Sequence, residues 1–305
     1  MKYRMIEHRL DSVAIEQIAF IDERSVNWAA ARSVTYVVHQ HIRYTYPGPI
    51  ADLRQRLMIA PRGEHGGQRR IIERLDIYPQ LPTQTQSDVF GNDVIAMSAP
   101  RIEYGLDFEY WAIVEREAAE RVHHEPRSVL DMPSFRQESV LTRADAALRE
   151  AAEHLRPQAE DPLDLAYAIN RFVFAHMTYA FGATDVFTTA AAAFRIGKGV
   201  CQDYAHIMIA IARHCGLAAR YVSGHLLGEG GTHAWVEILV PDGDGARVVG
   251  FDPTHDRTVT MKYIVVAVGR DYADVAPTSG VFTAAYSGEL TVRKRVGVTD
   301  VRYAA

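Results

Sequence analysis

Residues 197–206 read Gly-Lys-Gly-Val-Cys-Gln-Asp-Tyr-Ala-His, and the apolar run Ile207-Met208-Ile209-Ala210-Ile211-Ala212 follows before Arg213-His214-Cys215-Gly216. The glycines end one helix, and the apolar run predicts another from near Cys201 to about Cys215, stopped by Gly216. A cysteine therefore stands in the first helical turn. Unpaired N–H groups and the positive end of the helix dipole converge there, and both favour a thiolate over a thiol. A small buried cysteine gives the same local pattern, so the reading rests on what else the chain supplies. Cys215, 14 residues further on, is an internal control. At 1.5 Å per residue it lies about 21 Å away, beyond disulfide reach. The dipole at that end opposes a thiolate, so Cys215 reads as core.

Downstream, Thr232-His233-Ala234-Trp235-Val236-Glu237-Ile238 alternates with period two. His233, Trp235 and Glu237 share one face of a strand, and the apolar face packs on helices. His233 starts this strand beside the Gly228–Gly231 loop. A carboxylate follows in Gly250-Phe251-Asp252-Pro253-Thr254. If Asp242-Gly243 is the two-residue hairpin turn, His233 directly faces Asp252, with Cβ atoms about 4.5–5.5 Å apart. A turn at Asp244-Gly245 keeps the shared face but separates the pair. Cysteine, histidine and carboxylate then match nucleophile, proton carrier and orienting group. The Cys201 N–H is a natural oxyanion donor. Tyr179 and Gln202 are candidates for the second donor, and Trp235 for an apolar wall of the site.

Upstream, four helices are expected. The first has Ala146, Leu148, Ala151 and Leu155 on its stripe, with Thr142 as N-cap. Asp161-Pro162 opens the second, Thr188-Thr189 caps a short third over 190–194, and the Cys201 helix is the fourth. Strands follow at 219–223, 232–240, 247–251 and 263–268. Before the helices, residues 33–115 alternate with period two. Tyr36, Val38, Ile42, Tyr44 and Tyr46 form one face, ended by Pro47-Gly48-Pro49. Leu53-Leu57-Ile59, Ile71-Leu75-Ile77 and Phe108-Tyr110-Ala112-Val114 repeat the pattern, and the polar run 80–88 leads to a turn at Phe90-Gly91-Asn92-Asp93. The expected class is α+β. Residues 1–33 form an extension, 34–116 a β-sandwich-like domain, 117–141 a linker, 142–278 a helix-plus-antiparallel-sheet core, and 279–305 C-terminal strands that return to either sheet. His123-His124, in the linker, reads as surface histidine rather than a metal site.

Lys+Arg total 33 against Asp+Glu 38, a net charge of −5, which is no surface for neutralising phosphates; nucleic acid is not an expected partner. Apolar residues at 48% and charged residues at 23% argue against disorder. No secretory apolar segment follows Met1 and no 18-residue apolar run occurs, so neither export nor a membrane partner is expected. The expectation is a cytoplasmic protein with both thiols free. The oligomeric state is left open.

The stretches "GKGVCQDYAHIMIAIARHCGLAARYVSGHL", "THAWVEILVP" and "GFDPTH" resemble the transglutaminase-like superfamily, within the wider papain-like cysteine fold. "VAVGRDYADVAP" is similar to the segment that follows in bacterial members, and "YTYPGPIADLRQRLMIAP" with "SDVFGN" resembles their N-terminal β-rich region. The resemblance spans about residues 34–300. It implies a papain-like core in which Cys201, His233 and Asp252 take the Cys–His–Asp roles. It implies acyl transfer through a thioester, with a peptide or protein substrate. Water or an amine accepts the acyl group in different members, giving a protease or amidase, or a transglutaminase; some members are inactive binding modules. The calcium-binding regions of the animal crosslinking enzymes have no counterpart here, so no metal and no cofactor are expected.

Overall fold

Alternating apolar residues build two antiparallel sheets over the first part of the chain. The computed structural model describes residues 18–118, 123–159 and 161–304; residues 1–17 of the expected extension lie outside them. From residue 18 the extension packs rather than trailing. Ile21 bridges to Val298, and the Arg295 guanidinium lies 4.4 Å from the Phe20 ring centroid. Seven strands follow: β1 (Ala31–Thr45), β2 (Ile50–Leu57), β3 (Glu64–His65), β4 (Gln68–Tyr78), β5 (Thr83–Ser87), β6 (Asp93–Ile102) and β7 (Gly105–Glu117). Tyr36, Val38, Ile42, Leu53, Leu57, Phe108, Tyr110 and Val114 interleave in one apolar core, as the period-two pattern requires. β5 falls in the polar run that carried no alternation. All of its residues are exposed, so no buried face marked it in the sequence.

The stretch expected as a linker is built into the fold. It carries β8 (His124–Pro126), a 3-10 turn over Arg127–Asp131 and the short helix α1 (Pro133–Arg136). Val129, Leu130 and Phe135 pack on Ala218, Leu239, Ala246 and Val248. Pro133 lies in the first turn of α1, where its missing N–H costs nothing. The helices α2 (Ala146–Leu155) and α3 (Pro162–His176) follow. α2 is capped by Asp145, whose carboxylate accepts from the Leu148 N–H, and not by Thr142. The Thr142 hydroxyl instead accepts from Arg213. Asp161 caps α3 through the Leu163 and Asp164 N–H groups. The two-residue strands β9 (Thr178–Tyr179) and β10 (Lys198–Gly199) pair in parallel around α4 (Ala190–Ile196). Then comes α5 (Cys201–His214). Its residues from Gln202 to Arg213 are buried, which makes it the central helix of the core.

α5 lies against a sheet of β11 (Ala218–Leu226), β12 (His233–Asp242), β13 (Gly245–Asp252), β14 (Arg257–Thr258) and β15 (Tyr263–Gly269). The order is β14-β13-β12-β11-β15, with β8 added beside β13. Ala234, Val236, Ile238 and Val240 face the helices, while Trp235 and Glu237 face the opposite side with Val222 and Arg220. The hairpin register corrects the sequence expectation. Asp242 pairs with Gly245 and Val236 with Phe251, so the turn is Gly243-Asp244, midway between the two turns considered. Gly243 has φ +58°, and glycine at the first central position is the type II′ preference. Continuing the ladder sets Asp252 across from Trp235 and one diagonal step from His233, still on the same face.

After the helix α6 (Tyr272–Val275), the chain returns as β16 (Thr278–Thr283) and β17 (Glu289–Tyr303). β16 pairs with β2 and β17 with β1, so each N-terminal sheet receives one of the two closing strands. The N-terminal domain also covers the β15 edge. The Gln68 amide both donates to and accepts from the Val265 backbone, and the Asn92 amide does the same for Val268. Side-chain amides thus pair an edge that would otherwise recruit another strand. Behind the sheet, buried Arg220 bonds Glu237 at 2.7 Å and both Glu125 oxygens at 2.7 and 3.2 Å. No helix among the described residues is long and apolar enough to cross a membrane.

Removing one member of that ion network leaves a charge buried without its counter-ion. Arg220→Leu is expected to lower the unfolding free energy by about 3–5 kcal/mol. Urea unfolding at unchanged slope measures it; a loss under about 1 kcal/mol would show that water reaches Glu237 in the variant.

Candidate active site

Four segments meet at the N-terminus of α5. β10 ends at Gly199, where a Cβ would run into the Asp203 side chain at 2.7 Å. The absence of a side chain there lets Asp203 fold back over the helix start. Its carboxylate accepts from the Val200 N–H at 2.8 Å and from the Thr184 hydroxyl at 2.7 Å. Asp203 therefore fixes the turn that presents Cys201 and ties it to the loop after β9. Cys201 is partly exposed and lines a cavity of about 850 Å³ with Tyr179, Phe181, Val186, Glu229 and His233. Cys215 is held at the far end of α5, with its Sγ 3.6 Å from the Ala152 carbonyl oxygen. Burial pushes its thiol pKa up.

His233 opens β12 with its side chain almost wholly buried. Its Nε2 lies 2.8 Å from Asp252 Oδ2. The diagonal register is bridged by the length of the two side chains. Asp252 is fully buried, and its Oδ2 also meets His255 Nδ1 at 2.7 Å and accepts from the Tyr263 hydroxyl at 2.6 Å. Its Oδ1 accepts from the Thr254 N–H at 3.0 Å. Burial alone would raise this carboxyl's pKa. Hydrogen bonds from His233, His255 and Tyr263, with the His233 charge, outweigh it and hold the pKa well below the usual carboxylate range.

The other edge of the His233 ring faces the cavity. Its Nδ1 stands 3.3 Å from Glu229 Oε2, and His255 Nε2 stands 3.0 Å from Glu229 Oε1. Two imidazoles and two carboxylates thus close a ring: Asp252, His233, Glu229, His255. Burial would lower the His233 pKa, but hydrogen bonds with Asp252, Cys201 and Glu229 push it up to about 11. His255 is raised to about 9 by its bonds to the same two carboxylates. Glu229 is lowered to about 2, chiefly by the two histidines. These partners favour the charged form of His233, which stands between a buried carboxylate and the cavity that Cys201 lines.

The structure brings Cys201, His233 and Asp252 together from three distant segments. Tyr179 also lines the cavity. Gln202 lines it too, but its amide donates to the Val186 carbonyl at 3.2 Å, which braces the rim. Trp235 is not among the described residues of the cavity wall. It is fully buried and stacks behind His233, with ring centroids 6.3 Å apart and planes 25° apart, and meets Tyr263 edge-on. It backs the imidazole instead of lining the pocket, because residues two apart on a strand share a face but only the strand end reaches the opening. Glu229 and His255 escaped the sequence reading. His255 had a usable signal: Asp252-Pro253-Thr254-His255 is a tight turn in which a carboxylate reaches a side chain three residues on. Glu229 had none, since only the fold of its glycine-flanked loop aims it.

Comparisons with known proteins identify what this chain is similar to. Residues 36–115 match the bacterial transglutaminase-like N-terminal region, and residues 149–253 match the transglutaminase-like superfamily. An uncharacterised protein of Mycobacterium leprae is 29% identical over 279 residues, covering 84% of this chain and 95% of that protein. An uncharacterised protein of Mycobacterium bovis is 41% identical over 138 residues, 41% of this chain and 43% of that protein. Among solved structures, one titled a "putative cysteine protease" of Cytophaga hutchinsonii aligns over 90% of this chain and 93% of its own, with a TM-score of 0.73 at 22% identity; that likeness speaks for the fold. The chain belongs to the transglutaminase-like superfamily, its core preceded by the bacterial transglutaminase-like N-terminal region.

Proposed function

We propose that the protein is a cysteine-dependent hydrolase of amide bonds in peptides or isopeptides, working through a thioester with water as acceptor. The observation that carries the reading is the double engagement of His233. One nitrogen is fixed on the buried Asp252, and the opposite edge is turned to the cavity lined by Cys201. A proton carrier held this way is charged at rest and faces the nucleophile.

The steps balance without a cofactor. The Cys201 thiolate attacks the amide carbonyl carbon and forms a C–S bond, moving an electron pair onto oxygen. The Cys201 N–H, in the first turn of α5, donates to that oxyanion. Collapse breaks the C–N bond, and the His233 imidazolium gives its proton to the leaving amine. Neutral His233 then takes a proton from water as the water attacks the thioester. The C–S bond breaks, the acid leaves, and thiolate and imidazolium are restored. Asp252 keeps its charge throughout, fixing the ring orientation and stabilising its protonated form.

A peptide and isopeptide library read by mass spectrometry is the direct test. Cys201→Ala is expected to reduce turnover at least about 10³-fold, and Asp252→Asn by about 10²–10⁴-fold. The product should be the free acid even with a primary amine added; an amide product would establish a transglutaminase instead. A Cys201→Ala variant with undiminished turnover overturns the mechanism.

Thiol labelling gives a substrate-free test. Iodoacetamide at pH 6 is expected to modify Cys201 and leave Cys215 untouched; equal, slow labelling of both counts against an activated thiolate.

The ionised ring also sets a stability profile. His233 and His255 are raised from 6.5, to about 11 and about 9, so their contribution is complete below pH 6.5 and is lost as pH climbs through those values. Glu229 is lowered from 4.5 to about 2, so its contribution is present above 4.5 and lost as pH falls through 2. The unfolding midpoint should therefore be highest between pH 4.5 and 6.5. Asp252→Asn should flatten the alkaline decline; an identical decline in that variant would remove the His233–Asp252 pair as its source.

A further inference from the structure

A second cluster of imidazole and carboxylate groups lies behind the sheet, where the N-terminal domain meets β12. His65 of β3, His123 just before β8, and Glu237 of β12 offer three ligand atoms that all lie within 4.8 Å of one another. His65 Nε2 stands 2.7 Å from Glu237 Oε1, and the two histidine rings meet edge to face with centroids 4.6 Å apart. None of the three takes part in the acyl-transfer chemistry. We propose that His65, His123 and Glu237 form a binding site for one divalent transition-metal ion of the zinc class, joining the N-terminal domain to the strand that carries His233.

The donor set selects the ion. Two imidazole nitrogens and one carboxylate suit zinc, cobalt or iron(II), and not calcium or magnesium, which take oxygen ligands. The spacing fits as well. Bonds of 2.0–2.1 Å in a tetrahedral site put neighbouring donors about 3.3 Å apart. The His65 Nε2–Glu237 Oε1 pair, at 2.7 Å, would open slightly to admit the ion, and all three ligand atoms already lie within 4.8 Å of one another.

The surroundings match a supporting shell. Arg220 holds the other Glu237 oxygen, Oε2, at 2.7 Å, and Glu125 holds Arg220. The carboxylate is thereby oriented with Oε1 toward the histidines, as outer-shell partners orient metal ligands. Charged groups of both signs surround the site: Arg62 and Arg220 act on His65, Arg116 acts on Glu237, and the Glu125 and Glu237 carboxylates offset part of that positive charge. His65 and His123 also line a cavity of about 1240 Å³, with Glu125, Glu64, Arg32 and Gly66 among its other residues, which would give an ion a way in.

The test uses the full chain carrying Cys201→Ala, which removes the thiol as a competing ligand. After chelator treatment, Zn²⁺ is titrated by calorimetry and Co²⁺ by visible absorption. We expect one equivalent bound, with Co²⁺ bands typical of a four- or five-coordinate site. Adding His123→Ala should weaken binding by at least about 10–100-fold, the loss usual even for an outer-shell partner, and abolish the rise in melting temperature that Zn²⁺ gives. His65→Gln is the second variant, with circular dichroism reporting whether each remains folded. Absence of stoichiometric binding overturns the proposal. So does binding that survives His123→Ala and His65→Gln but is lost in His255→Ala, which would put the ion on His233, Asp252 and His255.

Discussion

The site is organised by one buried carboxylate. Asp252 is removed from solvent and stays charged because two imidazoles and a phenol point at a single oxygen. Burying a charge without such partners costs several kcal/mol. The sheet register, the Asp-Pro-Thr-His turn and the start of β15 therefore all answer to the same requirement. Each supplies one donor: β12 gives His233, the turn gives His255, and β15 gives Tyr263. Because these donors compete for one acceptor, moving any one element relative to the others leaves a buried charge less well paired. That coupling makes the orientation of His233 a property of the whole sheet.

β12 carries two different electrostatic assemblies on one face. His233 at its start belongs to the cavity, and Glu237 four residues on belongs to the junction with the N-terminal domain. Trp235 lies between them, fully buried, and separates them with a layer of low polarity. The opposite face of the same strand is aliphatic and packs on α5. Burial of apolar area thus packs together the helix that carries Cys201 and the strand that carries His233. The polar groups on the other face fix how the domains sit. The N-terminal sheets do more than sit beside the core: through Gln68 and Asn92 they complete the hydrogen bonding of its edge strand.

The cavity side of the site is built from a glycine-flanked loop. Glu229 stands between Gly228, whose φ is +89°, and Gly230-Gly231, so the backbone around it resists bending little. It reaches both histidines from that loop. Its half-exposed side chain is the part of the ring of imidazoles and carboxylates that is most open to the cavity.

Local signals in the chain determined much of this. Gly216 after the apolar run ends α5, Asp161-Pro162 starts α3, and alternation over β1, β2, β4 and β7 marks the faces that fill the N-terminal core; each is a short-range backbone or burial preference readable from neighbours. The order of Cys201, His233 and Asp252, with their motifs, was enough to name the family. Tertiary structure decided what depends on partners far along the chain. The hairpin register was settled by Gly243 taking the left-handed conformation, which put Asp252 diagonal to His233 instead of opposite. The segment 123–136 became part of the core because Val129, Leu130 and Phe135 found an apolar surface on β11 to β13. Trp235 went behind the imidazole, and Glu229 and His255 joined it, because a side chain's surroundings follow from packing and not from its own sequence context. Hydrophobic period and turn chemistry act over a few residues; the pairing of buried charges is fixed only when the whole chain has closed around them.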